Sequence, residues 1–495
     1  MAELQLVDVS IRDGNQSLWG AVGLRTAHIV QIAPVLDRVG FRALDFASST
    51  HMGVAVRTHR ENPWERIRLT STAMPNTRLQ FIGTGMRFIS WDRAHPDLIQ
   101  LVYDRLVLNG MTRFIVLDPT HDAEAMLESA RMVRKAGGEE VVAALTFTIS
   151  DFHDDAFYAG LARRLAESAD IDRFYVKDPA GLLSTERAAT LLPAVLAAIG
   201  GKPLELHSHC TLGQSQLTYP VAASRGVAVL HVACGALADG TSLPDAEQTV
   251  ANLRELSHRV DVDDRALALA AGYFTAVARG EGLPAGTPQR YDAAFLRHQL
   301  AGGVMTTTRR QLAELGLEDR FDAVIDEVDR VRAELGQPIM VTPFPQMVCS
   351  QALANVIGPE RYATVPDQVI RYLLGTFGRP TAPVDPDVAD RILSSARAKE
   401  LADEPPPPSV TELRAQIQGQ LGRRIDDEEL LLRATMPGDQ VDAMLATGPA
   451  RRQYDPSIAG VRRLLSELRT RPPFTELTIT TADLSLALRR HDRSR

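Results

Sequence analysis

Two histidines separated by one residue, His207 and His209, are the strongest chemical signal in this sequence of 495 residues. They lie in an apolar run, LELHSHC, that is typical of a β-strand, and residues two apart on a strand point to the same face. Both imidazoles can therefore bind a single metal ion. The alternative is a pair of structural histidines satisfied by hydrogen bonds, and these two residues alone leave it open.

A lysine at the end of a second apolar run is the next candidate. Lys177 follows Phe174-Tyr175-Val176 and is one of only four lysines in the sequence. Burial favours loss of its proton, and a neutral amine is a nucleophile that can form a Schiff base or take up carbon dioxide as a carbamate. A carbamate is an oxygen ligand for a metal. The alternative is a salt bridge to Asp178 or another acid nearby.

The segment Arg12-Asp13-Gly14-Asn15-Gln16 follows the first strand-like run and offers three further functional groups. Asp13 can ligate a divalent metal, and Arg12 and Gln16 can hold the oxygens of an oxo-acid. The alternative is an ordinary turn that leads into the next helix. The segment thus needs support from the residues around it.

The runs that carry these residues belong to a regular series. Short segments rich in Val, Ile and Phe begin at Leu4, Phe41, Leu79, Arg113, Val141, Arg173, Leu204 and Val229. Amphipathic stretches separate them, and eight strand–helix units predict an α/β fold, a parallel (β/α)8 TIM barrel. An open, doubly wound sheet is the alternative.

Polar residues at the run ends favour the barrel, whose active site lies at the carboxyl ends of the strands. An ordinary core would not place such residues there. The residues are Asp13, Asp45, Asp118, Lys177, His207 and His209.

The pattern becomes helical after about residue 265, and the strand-like runs stop. We predict a barrel over residues 1–275, a helical funnel domain over 276–403, and a linker with a helical C-terminal tail over 404–495. The linker begins with EPPPPS, which can continue neither a helix nor a strand.

Composition excludes several classes of function. The sequence has 62 acidic and 54 basic residues and a formal charge of −8, with no basic cluster that would bind nucleic acid. No apolar run approaches the roughly 20 residues of a membrane span. The N-terminal residues lack a signal sequence, and three cysteines are too few for a disulfide framework. We therefore expect a cytoplasmic protein.

Seven motifs in order give the sequence a family resemblance. RDGNQS, NPWERIR, MPNTRLQ, FYVKDPAGLL, LHSHCTLG, ADGTSLP and HQLAGGVMTT resemble the carboxyltransferase domain of pyruvate carboxylase, the alpha subunit of oxaloacetate decarboxylase and the 5S subunit of transcarboxylase. The wider group of HMG-CoA-lyase-like, metal-dependent TIM barrels is similar only in the RDG-Q and H-x-H elements. The resemblance covers roughly residues 4 to 380.

The resemblance implies a divalent metal ion, Zn, Mn or Co, bound by Asp13, carbamylated Lys177, His207 and His209. It also implies that Arg12 and Gln16 lie near the oxo-acid. Thr306 is implied as the hydroxyl that relays a proton between biotin and the enolate, although on spacing alone a helix cap is the preferred interpretation.

Four positions depart from the family pattern. Thr84 stands where the family has an arginine that holds the substrate carboxylate, and Trp91 stands where it has a tyrosine. Cys210 replaces an aspartate and Asp239 replaces a glycine. Arg87 is a nearby cation that could substitute for the missing arginine. We predict that pyruvate and oxaloacetate are weak substrates, and that a larger or differently charged 2-oxo acid packs against Trp91.

The resemblance predicts a carboxyltransferase subunit that moves a carboxyl group between a 2-oxo acid and biotin. No stretch resembles a biotinyl domain or a biotin carboxylase. Biotin is therefore expected on a separate carrier protein, with a biotin carboxylase or an acyl-CoA carboxyltransferase subunit as a further partner and a homodimer as the assembly.

Two other functions stay open at the level of sequence. A biotin-independent 2-oxo acid decarboxylase or C–C lyase on the same barrel is compatible with Thr84 and Trp91. A non-catalytic assembly subunit is the other, and the intact set of predicted ligands argues against it.

Overall fold

Eight parallel strands form a closed barrel in the computed structural model, which describes residues 3–90, 93–300, 302–314, 316–455, 476–480 and 485–489. The strands follow one another around the barrel in chain order. They are β1 (Gln5–Asp8), β2 (Ala43–Ser48), β3 (Arg78–Thr84), β4 (Met111–Leu117), β5 (Glu140–Thr146), β6 (Arg173–Asp178), β7 (Leu204–Ser208) and β8 (Val229–Val232). The closed barrel confirms the predicted fold and excludes the open sheet.

Helices connect the strands and cover the outside of the barrel. They are α1 (Asn15–Trp19), α2 (Thr26–Val39), α3 (Ser49–Val54), α4 (Pro63–Ala73), α5 (Pro96–Leu108), α6 (Ala123–Ala136), α7 (Asp155–Ala166), α8 (Thr185–Ala198), α9 (Ser215–Ser224), α10 (Ala246–Glu255) and α11 (Asp264–Glu281). Short π-helical turns at Ser10–Gly14 and Ala55–His59 follow β1 and α3.

Local sequence explains these elements. Every residue of β5 is buried, as expected for a parallel strand covered on both faces, which is why the strands appear as continuous apolar runs. The helix α6 begins where the Asp122 carboxylate accepts hydrogen bonds from the amides of Glu124 and Ala125, and it ends at Gly137, whose φ is +93°.

A second hydrophobic core lies within residues 300–401. A short helix, α12 (Phe295–His298), precedes it, and Phe295 packs in the barrel core. The helices of the second core are α13 (Gly302–Glu314), α14 (Phe321–Glu334), α15 (Phe344–Ile357), α16 (Asp367–Leu373), α17 (Pro386–Leu393) and α18 (Ala396–Ala402). Val324, Val328 and Val331 of α14 are completely buried in it at helical spacing. Among the described helices, none is both long enough and apolar enough to cross a membrane.

The C-terminal region is only partly helical. Residues 404–409 form neither helix nor strand, as their prolines predict, and α19 (Val410–Leu421), α20 (Asp427–Thr435) and α21 (Gly438–Thr447) follow. Two antiparallel strands, β9 (Glu476–Thr480) and β10 (Ser485–Arg489), then depart from the predicted helical tail. The physical reason is the alternation of apolar residues at every second position in ELTIT and SLALR, a strand period that the prediction of a helical tail overlooked.

Candidate active site

Strand register brings the predicted ligands to one end of the barrel. Lys177 on β6 is paired with His207 on β7, and His209 follows one residue after the end of β7. Asp13 lies in the π-helical turn that follows β1. All four residues therefore lie at the carboxyl ends of the strands, where barrel enzymes have their active sites.

The four side chains converge closely. His207 Nε2 lies 3.0 Å and His209 Nε2 3.5 Å from Asp13 Oδ2, and the two Nε2 atoms are 3.2 Å apart. Lys177 Nζ lies 3.4 Å from Asp13 Oδ2 and 3.2 Å from His207 Nε2. Each of these residues is at most 5% exposed. Within the described residues, Asp13, His207 and His209 are the group of acidic, histidine or cysteine side chains whose geometry suits a metal ion.

The protonation of His209 supports a metal at this point. Its Nδ1 lies 2.7 Å from the carbonyl oxygen of Thr241, which can only accept a hydrogen bond, so the neutral ring carries its proton on Nδ1. The lone pair of Nε2 then faces the Asp13 carboxylate, and two such acceptors are stable together with a cation between them. Imidazole nitrogen and carboxylate oxygen together suit Zn, Mn or Co.

Electrostatics favours the protonation states that ligands need. Burial alone would raise the pKa of Asp13, but the charges of Arg12 and Lys177 hold it well below its usual value. Burial and the charge of Lys177 hold the pKa of His207 well below its usual value. Burial also lowers the pKa of Lys177, against the opposing charge of Asp13. Asp13 is therefore ionised and His207 neutral at physiological pH.

Arg12 is held rigidly beside Asp13. Its Nε donates to Asp45 Oδ2 at 2.8 Å, and its Nη1 lies 2.7 Å from Asp13 Oδ2. Asp45, one of the predicted strand-end residues, thus positions the guanidinium instead of facing the substrate space. Asp118 does not reach the site, because it accepts hydrogen bonds from the amide and hydroxyl of Thr120 and closes a turn after β4.

A cavity of about 340 Å³ opens above these residues. Barrel residues form its floor and the helical region of residues 300–401 forms its roof. The floor includes Arg12, Asp13, Gln16, Lys177 and His209, and the roof includes Val304, Met340, Val341, Thr342, Pro345 and Gln346. The barrel and the helical region therefore both contribute walls to the site.

Two of the three residues predicted around the substrate carboxylate border this cavity. Thr84, at the end of β3, and Arg87 both line it. The guanidinium of Arg87 donates from Nη2 to the carbonyl oxygen of Thr376 at 2.9 Å and lies 4.5 Å from the centre of the Phe377 ring. Arg87 therefore connects the barrel to the helical region. Trp91 lies outside the described residues.

The predicted proton-relay residue is placed only by its backbone. Thr306 belongs to α13, and Val304, two residues earlier, lines the cavity. The side chain of Thr306 lies outside what the structure describes, so its role stays a prediction.

Cys210 and Asp239, two of the residues that depart from the family pattern, contact each other close to His209. The carboxylate of Asp239 is hydrogen-bonded to the Cys210 thiol and accepts a hydrogen bond from Gln216 Nε2 at 2.9 Å. Asp239 has a φ of +60°, a conformation that favours glycine and that aspartate tolerates better than most residues. Neither Cys210 nor Asp239 lines the cavity, so these departures affect the support of the site and leave its wall unchanged.

Ser48 and Thr241 also contribute to the site, and the sequence did not predict either of them. Ser48 lines the cavity, and its hydroxyl lies 3.0 Å from Nδ1 of the buried His51. Ser48 ends β2, so the same strand-end argument that found Lys177 could have found it. Thr241 acts through its carbonyl oxygen, a backbone role that residue type does not reveal.

Comparisons with known proteins define the class. Residues 295–469 match the family described as a conserved carboxylase domain. A pyruvate carboxylase subunit of Methanocaldococcus jannaschii is 33% identical over 391 residues, which cover 79% of this chain and 68% of that protein. The methylmalonyl-CoA carboxyltransferase 5S subunit of Propionibacterium freudenreichii is 27% identical, over 88% of this chain and 86% of that subunit.

A solved structure agrees with the fold. The carboxyl transferase domain of Rhizobium etli pyruvate carboxylase, solved with pyruvate, superimposes with a TM-score of 0.82 at 24% identity, over 98% of this chain and 84% of that chain. The barrel fold together with the sequence relatives defines a barrel carboxyltransferase. Given its identity to the archaeal protein, the chain belongs to the biotin-dependent carboxyltransferase family of pyruvate carboxylase and transcarboxylase, and it is an enzyme of that family. The resemblance drawn from the seven motifs is confirmed.

Proposed function

We propose that this protein is the metal-dependent carboxyltransferase subunit of a multi-chain enzyme. It moves a carboxyl group between a 2-oxo acid of the pyruvate or oxaloacetate type and biotin carried on a separate chain. The observation that carries the proposal is the convergence of Asp13, His207 and His209, with ligand atoms within 4.8 Å of one another, beside a cavity that barrel and helical residues line. The names of the archaeal pyruvate carboxylase subunit and of the 5S subunit support the same reaction class.

The proposed metal ligands are Asp13, His207, His209 and a carbamate on Lys177. A divalent ion at this point supplies a Lewis acid that withdraws electrons from the 2-oxo carbonyl and favours the enolate. The neutral amine of Lys177 attacks carbon dioxide, a nitrogen–carbon bond forms, and an amine proton leaves to solvent. The product is an anionic carbamate on a side chain whose nitrogen lies 3.2 Å from His207 Nε2.

Arg12 and Gln16 are proposed to bind the oxygens of the 2-oxo acid. Both residues line the cavity, and Asp13 and Asp45 hold the guanidinium of Arg12 in place before any substrate arrives. Such preorganisation reduces the entropy lost on binding and fixes the acid for transfer. Thr84 and Arg87 border the same space and are proposed to select among 2-oxo acids.

Thr306 is proposed to move a proton between a biotin nitrogen and the reacting carbon of the acid as the carboxyl group changes carrier. The carrier supplies biotin as the acceptor or donor of that group. Support comes from α13, which passes the cavity with Val304 on its wall. Residues of the helical region form the roof, and this supports a funnel through which the carrier delivers biotin.

The proposal extends to the partners, the assembly and the domain boundaries of the protein. We propose a separate biotin carrier protein, with a biotin carboxylase or an acyl-CoA carboxyltransferase subunit, as partners of a cytoplasmic homodimer. The division into domains at residues 1–275, 276–403 and 404–495 belongs to the same proposal.

A biotin-independent decarboxylase or C–C lyase is the second candidate, because Thr84 removes the cation that holds the carboxylate in the family pattern. The test is release of pyruvate from oxaloacetate with and without free biotin, with His209→Ala as the matched control for reaction in solution. We expect a rate that rises and saturates with biotin and that the control loses. An enzymatic rate independent of biotin would support the second candidate. No enzymatic turnover of oxaloacetate or of longer 2-oxo acids would contradict both.

A further inference from the structure

Two buried side chains, His231 and Glu205, continue a line of polar contacts from the proposed metal ligand His207. His207 Nδ1 lies 3.2 Å from Nδ1 of His231 on β8, and His231 Nε2 lies 3.0 Å from Oε2 of Glu205 on β7. His207, His231 and Glu205 have no solvent exposure. The ring of Tyr175 stacks on His231 at a centroid distance of 5.4 Å and an interplanar angle of 13°. The His231 ring is therefore fixed in orientation as well as in position.

The remaining contacts of Glu205 fix the direction of every hydrogen bond in this line of contacts. Glu205 Oε1 accepts from Arg113 Nη2 and from Arg173 Nε, each at 2.6 Å, so the carboxylate is an anion between two guanidinium groups. An ionised carboxylate only accepts hydrogen bonds. His231 Nε2 therefore donates to it, and the neutral ring presents an acceptor at Nδ1.

The direction of the next hydrogen bond, between His231 and His207, follows from this. Because His231 Nδ1 is an acceptor, His207 Nδ1 must carry the proton that lies between the two rings. A neutral imidazole with its proton on Nδ1 has its lone pair on Nε2, and this atom faces Asp13 and His209.

We infer that His231, oriented by Glu205, is a positioning residue that holds His207 in the one tautomer able to bind a metal. Ligating histidines commonly have such a partner on the second ring nitrogen, and its loss typically costs 10- to 100-fold in metal affinity. This inference rests on the metal site of the proposed function and adds two residues that the seven motifs do not explain.

The test measures binding of Co²⁺ to metal-free protein, by competition with a chelator and by the visible absorption of the bound ion. His231→Phe keeps a planar ring against Tyr175 but removes both nitrogens. We expect affinity for Co²⁺ to fall 10- to 100-fold and the absorption spectrum to change. His153→Phe, which alters another buried histidine that is only 2% exposed, is the matched control and should bind like the unmodified protein.

Glu205→Gln provides a second and independent variant. Its amide oxygen is needed by Arg113 and Arg173, so its NH2 group would face His231 and reverse both hydrogen bonds. The proton of His207 would then lie on Nε2, and Co²⁺ affinity should fall as far as in His231→Phe. The double variant should be no weaker than His231→Phe alone, because both changes act through one path.

The outcomes separate this inference from the metal site itself. If the unmodified protein does not bind Co²⁺, the proposed metal site fails together with the inference. If it binds and a folded His231→Phe variant binds within about twofold of the His153→Phe control, the metal site stands and the inference is overturned. If His231→Phe does not fold, Glu205→Gln decides in the same way. Partial recovery in His231→Gln, whose amide oxygen can accept from His207 Nδ1, would support it.

Discussion

At the scale of single residues, Asp13 is held by several charged and polar neighbours. One of its carboxylate oxygens lies within 3.5 Å of Arg12, Lys177, His207 and His209. The charges of Arg12 and Lys177 beside this oxygen explain why Asp13 stays ionised when buried. The same contacts make the environment of Lys177 specific, because its amine is held against an acid and an imidazole and away from solvent.

Carbamylation of Lys177 is directly testable. Protein equilibrated with ¹³C-labelled bicarbonate should show one carbamate carbon signal by NMR, because the buried amine has a lowered pKa and a metal would retain the product. Lys177→Arg should lose the signal, the metal and turnover together, whereas Lys202→Arg, at a surface lysine, should keep all three. If Lys177→Arg keeps its metal and most of its rate, the carbamate is not a ligand.

Substrate choice is predicted to depend on Thr84. Restoring a cation with Thr84→Arg should improve turnover of oxaloacetate at low concentration by roughly ten- to a hundredfold, the worth of about 1.5–3 kcal/mol for a charged hydrogen bond. Thr84→Gln adds similar length without charge and should give no such gain. Steady-state kinetics with pyruvate, oxaloacetate and longer 2-oxo acids would measure it. Efficient oxaloacetate turnover by the unmodified protein would show instead that Arg87 or another cation holds the carboxylate.

At the scale of elements, the motif NPWERIR proves to be structural. Asn62 caps α4 through its side chain, Trp64 is completely buried, and Arg66 donates to Glu61 Oε2 at 2.9 Å. Glu61 also accepts from the amide and hydroxyl of Thr26 and so ties the start of α2 to α4. The motif thus holds two outer helices together and contributes no wall to the cavity.

This arrangement predicts a pH-dependent contribution to stability. Burial alone would raise the pKa of Glu61, but Arg66 and Thr26 lower it to about 2 from an ordinary value of 4.5. A carboxylate whose pKa is lowered on folding stabilises the fold above its unfolded pKa. This contribution, roughly 3 kcal/mol, is present above pH 4.5 and is lost as the pH falls towards 2. Denaturant unfolding from pH 7 to pH 3 should show the unmodified protein converging on Glu61→Gln. Glu124→Gln, at an exposed surface pair, should follow the unmodified protein, and parallel curves for Glu61→Gln would contradict the assignment.

The sequence predicts the barrel strands well, but it predicts the contacts around the candidate site only in part. Each strand-like run corresponds to one barrel strand, with starts that differ by two residues at most, because strands buried on both faces leave a continuous apolar signal. The proposed metal ligands could be singled out in the sequence because their residue types suit metal binding. The link from Glu205 through His231 to His207 was not, since it joins neighbouring strands through register and hydrogen-bond direction. The contact of Cys210 with Asp239 was hidden for the same reason.

At the scale of the whole molecule, the C-terminal helices α20 and α21 pack on the barrel and share its hydrophobic core. Leu431 and Val441 are completely buried in the barrel's own hydrophobic core, and Glu428 on α20 accepts hydrogen bonds from Arg68 and Asn109 on the outside of the barrel. The described residues 410–455 therefore pack against the outside of the barrel at α4 and α5.

The buried contacts of α20 should contribute strongly to the free energy of unfolding. Leu431→Ala removes a buried side chain and should lower the free energy of unfolding by about 2–5 kcal/mol. Leu445→Ala, at a side chain that is 44% exposed, is the matched control and should cost much less. Denaturant unfolding of both variants would measure the difference. Equal effects would show that α20 does not stabilise the barrel.

The central claim is that Asp13, Lys177, His207 and His209 form a metal centre on which carboxyl transfer depends. The most direct measurement is the divalent metal content of pure protein beside its turnover, before chelation, after chelation and after restoring the ion. We predict about one ion per chain, turnover that is lost and regained with it, and neither ion nor turnover in the double variant His207→Ala, His209→Ala. Full turnover by protein that holds almost no metal would contradict the claim.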